Sequence, residues 1–324
     1  MKTLEELREI IGNSILNIDL NRNPHELYDP ISYTLSLGGK RLRPALCLLA
    51  CDMVGGNVNA ALKPAIGIEV FHNFTLLHDD IMDNAEIRRG QQTVHKKWDD
   101  NVAILSGDTM MALAYEYIMQ APVEYRSKVF DVFNQTAIEV CEGQQFDMNF
   151  ETRHDVSIDE YLNMIRLKTA VLVAGSLKIG AIIGAADEQT AEKLYKFGEH
   201  IGIAFQLKDD LLDVFSDVEK FGKATGGDII SNKKTYLYLK AFELATGDYL
   251  SELTELFSSK AIDANEKVRK VKAIYERLNI QQETELKIDT YYQAAKKSLD
   301  EISLDQGEKT ELLKYADKLK NRER

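Results

Sequence analysis

Two copies of one acidic signature define the chemistry of this chain: Asp79-Asp80-Ile81-Met82-Asp83 and Asp209-Asp210-Leu211-Leu212-Asp213. In a helix, the first and last Asp of each copy sit at i and i+4 and share one face. Such a face collects carboxylates with no cation of its own. A hard divalent ion relieves that repulsion, and all-oxygen ligation suits magnesium. Magnesium keeps several waters and completes its shell with substrate phosphates. Two such faces would clamp one diphosphate between them. Chance explains the pair poorly. At about 6% Asp, one DDxxD arises in roughly 0.07 of chains this long, and two in only about a few per thousand. Each copy also follows an apolar-rich helical run, Val70 to His78 and Ile201 to Lys208.

Carboxylates alone would bind metal and nothing else, but cations stand near them. Gly38-Gly39-Lys40-Arg41-Leu42-Arg43-Pro44 is a glycine turn followed by three bases. Glycine lets backbone approach an anion, and Lys and Arg neutralise it. Arg88-Arg89 follows the first motif by five residues, and a guanidinium fork suits phosphate. Lys168-Thr169 opens a predicted helix that is otherwise nearly all apolar. Lys223 and Lys233 flank the Gly-rich stretch Gly222 to Asp228, just beyond the second motif.

Long helices must carry these groups. Runs such as Leu4-Leu7-Ile11-Ile15-Leu16 and Leu194-Phe197-Ile201-Phe205 repeat at helical spacing. Alternation of period two is sustained nowhere, and no proline follows Pro122. The expected fold is all-α, one domain over residues 1–324 with about a dozen helices. Gly38-Gly39, Gly55-Gly56, Arg89-Gly90 and Gly222 to Asn232 mark loops, and Asp108 after Ser106-Gly107 reads as a helix start. Thr169 to Ala186 is apolar enough to suggest a membrane span. Lys178 near its middle, and Gly175, Gly180 and Gly184, instead predict a closely packed buried helix and no stable span. Residues 241–324 carry no motif and are expected to form outer helices.

Asp plus Glu number 52 against 40 Lys plus Arg, and a net charge of −12 argues against nucleic acid as a partner. Three cysteines, and an N-terminus without an apolar core, predict a reducing cytoplasm and no signal peptide. Cys47 and Cys51 are expected to pack as small apolar residues.

These motifs, in this order from about Ser36 to Thr235, resemble those of the trans-isoprenyl diphosphate synthases, the head-to-tail polyprenyl synthases. Gly38 to Pro44 resembles that family's GGKRxRP, Arg88-Arg89-Gly90 its RRG and Gly107-Asp108 its GD. Gly143-Gln144 with Asp147 resembles GQxxD, and Lys168-Thr169 resembles KT. The resemblance implies a helical bundle around a central cavity and two diphosphate sites. Isopentenyl diphosphate would bind Lys40, Arg43, His72 and Arg89. An allylic diphosphate would bind about three magnesium ions held by Asp79, Asp83 and Asp209, with Asp80, Asp210 and Asp213 close by. Arg88, Lys168, Lys223 and Lys233 would add charge there, and Thr169 and Gln206 would steady the allylic cation. Homodimerisation is also implied.

Phe74 and Thr75 occupy the family's chain-length positions, and their pattern resembles that of geranylgeranyl diphosphate formation. Farnesyl or longer products remain alternatives. The chain departs from the family at Asn232, where glycine precedes the lysine, and at Asp99, to which no function attaches. A terpene cyclase would pair its aspartates with an asparagine/serine/glutamate motif, and a head-to-head synthase would lack GGKRxRP. A carboxylate di-iron bundle would need Glu-x-x-His pairs. A non-catalytic partner subunit would have lost an aspartate motif or an arginine, and this chain keeps both.

Overall fold

The computed structural model describes residues 1–216, 226–259 and 261–322. Sixteen α-helices are present among them, three of eight residues or fewer. Strand is confined, among the described residues, to one two-residue ladder. The expected all-α class holds. The chain's contacts group into two compact units.

Unit 1 comprises Met1–Thr136, Gly175–Tyr195 and Ser303–Glu311. Its helices include α1 (Leu4–Leu16), α2 (His25–Ser36), α3 (Leu42–Met53) and α4 (Val58–Met82). Helix α1 starts on a capping box, in which Thr3 and Glu6 each satisfy the other's backbone N–H. Helix α4 is apolar round most of its circumference, so it must be covered. Ile66, Ile68, Phe71, Phe74 and Leu77 are all buried, with α3 and α6 (Asp100–Ile118) packed alongside. After α4 a hairpin pairs β1 (Ile87–Arg88) with β2 (Gln91–Gln92). Its two-residue turn is Arg89-Gly90, both with positive φ, 53° and 77°. A short α5 (Val94–Lys97) follows.

Helix α9 (Val171–Ile183) lies in the predicted buried segment. A Cβ at Gly180 would sit 2.0 Å from the Cys47 carbonyl oxygen, so the close packing expected of these glycines is real. Lys178 pairs at its rim with Glu192, at 2.6 Å.

Unit 2 comprises Ala137–Ala174, Lys196–Ile302 and Leu312–Arg324. It contains the C-terminal part of α7 (Arg126–Thr152), α8 (Ile158–Ile165) and the motif end of α10 (Glu188–Phe215). Then come α11 (Gly227–Ile230), α12 (Tyr236–Leu244), α13 (Gly247–Ser258), α14 (Ala264–Arg277) and α15 (Ile280–Asp300), with the end of α16 (Gln306–Lys320). Leu237, Leu253, Val271, Tyr275 and Ile280 bury fully into one core with Leu207 and Leu211. The tail helices are therefore part of the unit's core and not an outer layer.

Candidate active site

In unit 1 the first motif closes α4. Asp83 is its exposed C-cap, its N–H bonded to the Asp79 carbonyl. Asp80 faces inward and is 5% exposed. Arg88, carried back by the hairpin, donates from Nε to Asp80 Oδ1 at 2.6 Å and stands 3.9 Å from Asp79 Oδ2. Burial raises the Asp80 pKa, and Arg88 opposes that rise. Asp79 and Asp83 thus stay accessible while Asp80 anchors an arginine.

The glycine turn meets the same region. Arg89 Nη1 donates to the Gly38 carbonyl, and Arg43 Nη1 lies 3.2 Å from His72 Nε2. Burial, then Arg43, Arg89, Arg88 and Arg41, hold the His72 pKa well below its usual value. His72 is therefore neutral and accepts from Arg43. Arg41, expected only as one of three bases, points inward and pairs with buried Glu69 at 2.5 Å. Arg41 and Arg89 both adopt left-handed backbone, φ 47° and 53°, a strained choice for non-glycine residues. Phe74 packs against Phe71 and His78, with centroids 5.5 and 4.8 Å away. Thr75 is partly buried, as is Asp79 one turn on.

Unit 2 builds a second constellation. Asp209 is partly exposed, whereas Asp210 is 6% exposed and accepts from Tyr161 Oη and, at 3.0 Å, from Gln206 Nε2. Asp213 Oδ2 accepts the Asp228 N–H at 3.0 Å and so caps α11. Lys168 Nζ bonds Asp147 at 2.6 Å, and Thr169 Oγ1 bonds Gln206 Oε1 at 3.1 Å. Asp147, Lys168, Thr169, Gln206, Asp210, Asp228 and Lys233 line a cavity of about 160 Å³. Burial pushes Asp210 up to about 7, helped by the charge of Asp228. Burial and Asp213 push Asp228 up to about 6, against Lys233. Raised carboxylates in a cleft mark negative charge without enough compensation.

Three sequence expectations change. Asp108 does not start a helix, because α6 begins at Asp100 with Asp99 as its side-chain cap. Gly107 sits inside α6 because a Cβ there would lie 2.2 Å from His78 Nε2. Asp99, given no function, therefore has a structural one. Lys168-Thr169 does not open a helix either. Both lie in a π-helical turn, Arg166–Ala170, within a helical run continuing from α8 into α9. The tail, which carries no motif, also supplies Arg322, whose Nη1 lies 2.5 Å from Asp209 Oδ1. Tyr161, Asp228 and His95 were also missed. His95 is 7% exposed near Asp80, and its ring nitrogens have no hydrogen-bond partner among the described residues. Lys223 lies outside the described residues.

Among the described residues no three His, Cys, Asp or Glu side chains converge as a ready-made metal cage. The accessible carboxylates are nonetheless all-oxygen donors of the kind that hold magnesium through one or two carboxylates plus phosphate. The residues present fit such an ion.

A family model described as polyprenyl synthetase matches residues 24–278. The chain belongs to the polyprenyl synthetase family. It is a prenyltransferase. A geranylgeranyl diphosphate synthase of Methanosarcina mazei is 41% identical over 303 residues, 93% of this chain and 91% of that protein. A geranylfarnesyl diphosphate synthase of Natronomonas pharaonis is 40% identical over 256 residues, 74% of this chain and 75% of that protein. A crystal structure of a geranylgeranyl pyrophosphate synthase superposes with a TM-score of 0.93 at 47% identity, covering 99% of each chain. No described helix of this family member is long and apolar enough to cross a membrane.

Proposed function

We propose that this polyprenyl synthetase condenses isopentenyl diphosphate head to tail with an allylic diphosphate, using magnesium, and makes geranylgeranyl diphosphate. The observation that carries this reading is the partition within each acidic motif. The first Asp of each motif (Asp79, Asp209) stays partly exposed with an arginine beside it, while its neighbour (Asp80, Asp210) is buried and hydrogen-bonded.

Asp79, Asp83 and Asp209 would hold about three magnesium ions. Magnesium held there would supply charge to neutralise the diphosphate leaving group. Arg88, Lys168 and Lys233 add fixed positive charge, with Lys223 as a further contributor, and the bond from allylic carbon to oxygen breaks heterolytically. Lys40, Arg43 and Arg89 grip the second diphosphate, while neutral His72 orients Arg43. The double bond of isopentenyl diphosphate attacks the cation, and the departing diphosphate takes the proton lost. Thr169 and Gln206 turn their hydrogen-bonded dipoles to the cation. The apolar flank of α4 keeps water out.

The likeness to the Methanosarcina geranylgeranyl diphosphate synthase supports the C20 product, and that to the Natronomonas geranylfarnesyl diphosphate synthase supports a longer alternative. Phe74 and Thr75 are proposed to floor the chain's channel. Phe74→Ala should lengthen the product by at least one isoprene unit in mass spectrometry, and an unchanged product would remove Phe74 from that role. One catalytic domain over 1–324, a homodimer and a cytoplasmic location belong to the same proposal.

The test is incubation with labelled isopentenyl diphosphate, magnesium and each short allylic diphosphate in turn, followed by sizing. A C20 product supports the proposal. No product from any primer would point instead to a non-catalytic subunit.

A further inference from the structure

Lys267 on α14 is 5% exposed. Burying an ammonium is costly unless something holds it. Here Nζ donates to the Asn232 side-chain oxygen and lies 4.9 Å from the centroid of the Phe257 ring. Neither partner is a carboxylate. Burial accordingly lowers the Lys267 pKa.

Asn232 is where the chain departs from the family's glycine. Its φ is 58°, a left-handed conformation that glycine adopts freely and asparagine tolerates best among other residues. The backbone demand explains glycine or asparagine, but only asparagine offers a side chain to tie. The next residue is Lys233, whose N–H bonds the Asp228 carbonyl at 2.9 Å and which lines the unit 2 cavity. At the other end of this segment, a Cβ on Gly226 would lie 2.7 Å from Val268, the neighbour of Lys267. Helix α14 therefore abuts both ends of the stretch that carries Asp228 and Lys233.

We propose that Lys267 is a positioning residue that fixes the Lys233 loop through the side chain of Asn232, in place of the looser glycine. The proposal rests on the reading of Lys233 as an allylic diphosphate ligand. Lys267→Met keeps the buried stem and removes the donor, Lys267→Arg keeps a donor, and Asn232→Gly removes the acceptor.

The experiment measures KM for each substrate, and amide hydrogen exchange over residues 229–235, in wild type, these variants and the double variant Asn232→Gly/Lys267→Met. Lys267→Met should raise the allylic KM about tenfold, the scale of one hydrogen bond from a charged donor, with the isopentenyl diphosphate KM unchanged. Lys267→Arg should restore most of it. The double variant should be no worse than the poorer single, and exchange over 229–235 should speed up in all three variants lacking the tie. Both KM values rising together, or unchanged exchange, would overturn the proposal. If Lys267→Met does not fold, Asn232→Gly carries the same two readouts. If wild type condenses nothing, the allylic reading of Lys233 fails, and exchange alone still decides the tie.

Discussion

Asp80 and Asp210 hold the same place in two copies of one motif, and both are almost fully buried. Their partners differ. Asp80 is ion-paired to Arg88, whereas Asp210 is held by a phenol and an amide, with Asp228 nearby. Burial raises both pKa values, but only Asp210 climbs to about 7. A sequence signature thus fixes where carboxylates point, and distant partners decide whether they carry charge. Unit 1 supplies its own countercharge. Unit 2 leaves its buried acid without a paired cation and places its own arginine, Arg322 of the tail, on the neighbouring Asp209 instead.

The largest effect should come from the accessible acids. Asp79→Ala and Asp209→Ala should each lower kcat at least about 10³-fold, roughly 4 kcal/mol of lost stabilisation of the leaving group. Asp99→Ala should leave turnover intact and cost about 1 kcal/mol through the lost α6 cap. Steady-state rates and urea unfolding check both. Survival of activity in only one of the two acid variants would mean that the motifs are not equivalent.

Next come the partners of the buried acids. Arg88→Ala leaves Asp80 buried without its cation. The loss should be on the order of 2–3 kcal/mol, the low end for breaking a buried pair because the Arg88 side chain is 31% exposed. Tyr161→Phe removes one hydrogen bond from an acid already close to neutral, and about 1 kcal/mol is expected. Urea midpoints that reverse this order would break the contrast between the two sites.

The contrast also sets a pH dependence. The folded pKa of Asp210 lies near 7, above its ordinary value near 3.8, so folding takes up a proton between those limits. The resulting stability is fully present below about pH 4 and is lost as pH rises through about 7. Without metal or substrate, the contribution of Asp210 to urea stability should rise by about 3 kcal/mol from pH 8 to pH 5. Asp210→Asn should flatten that slope. A slope unaltered by this substitution would assign it to other groups, Asp228 first among them.

Legibility in the sequence follows separation along the chain. Arg88 stands eight residues from Asp80, so the basic pair beside the first motif was readable. Tyr161 lies 49 residues from Asp210 and Arg322 113 from Asp209, distances at which only packing reveals a partner. Apolar spacing was enough to predict α1, α4 and α10, because each must bury a long face. Ser106-Gly107-Asp108 misled for a physical reason. A glycine serving close contact with His78 looks, in sequence, like one that breaks a helix. The π-helical turn at Lys168 leaves no compositional trace, since its residues are ordinary helix formers.

The proposed function requires both motifs to serve one allylic diphosphate through shared magnesium. Titration calorimetry with a non-reactive allylic diphosphate analogue and magnesium tests it most directly, on wild type, Asp79→Ala, Asp209→Ala and the double variant. Strong coupling is predicted: each single change should remove most of the magnesium-dependent affinity, and the double change should remove little more. Free-energy losses that simply add would mean two independent anion sites and would contradict the account.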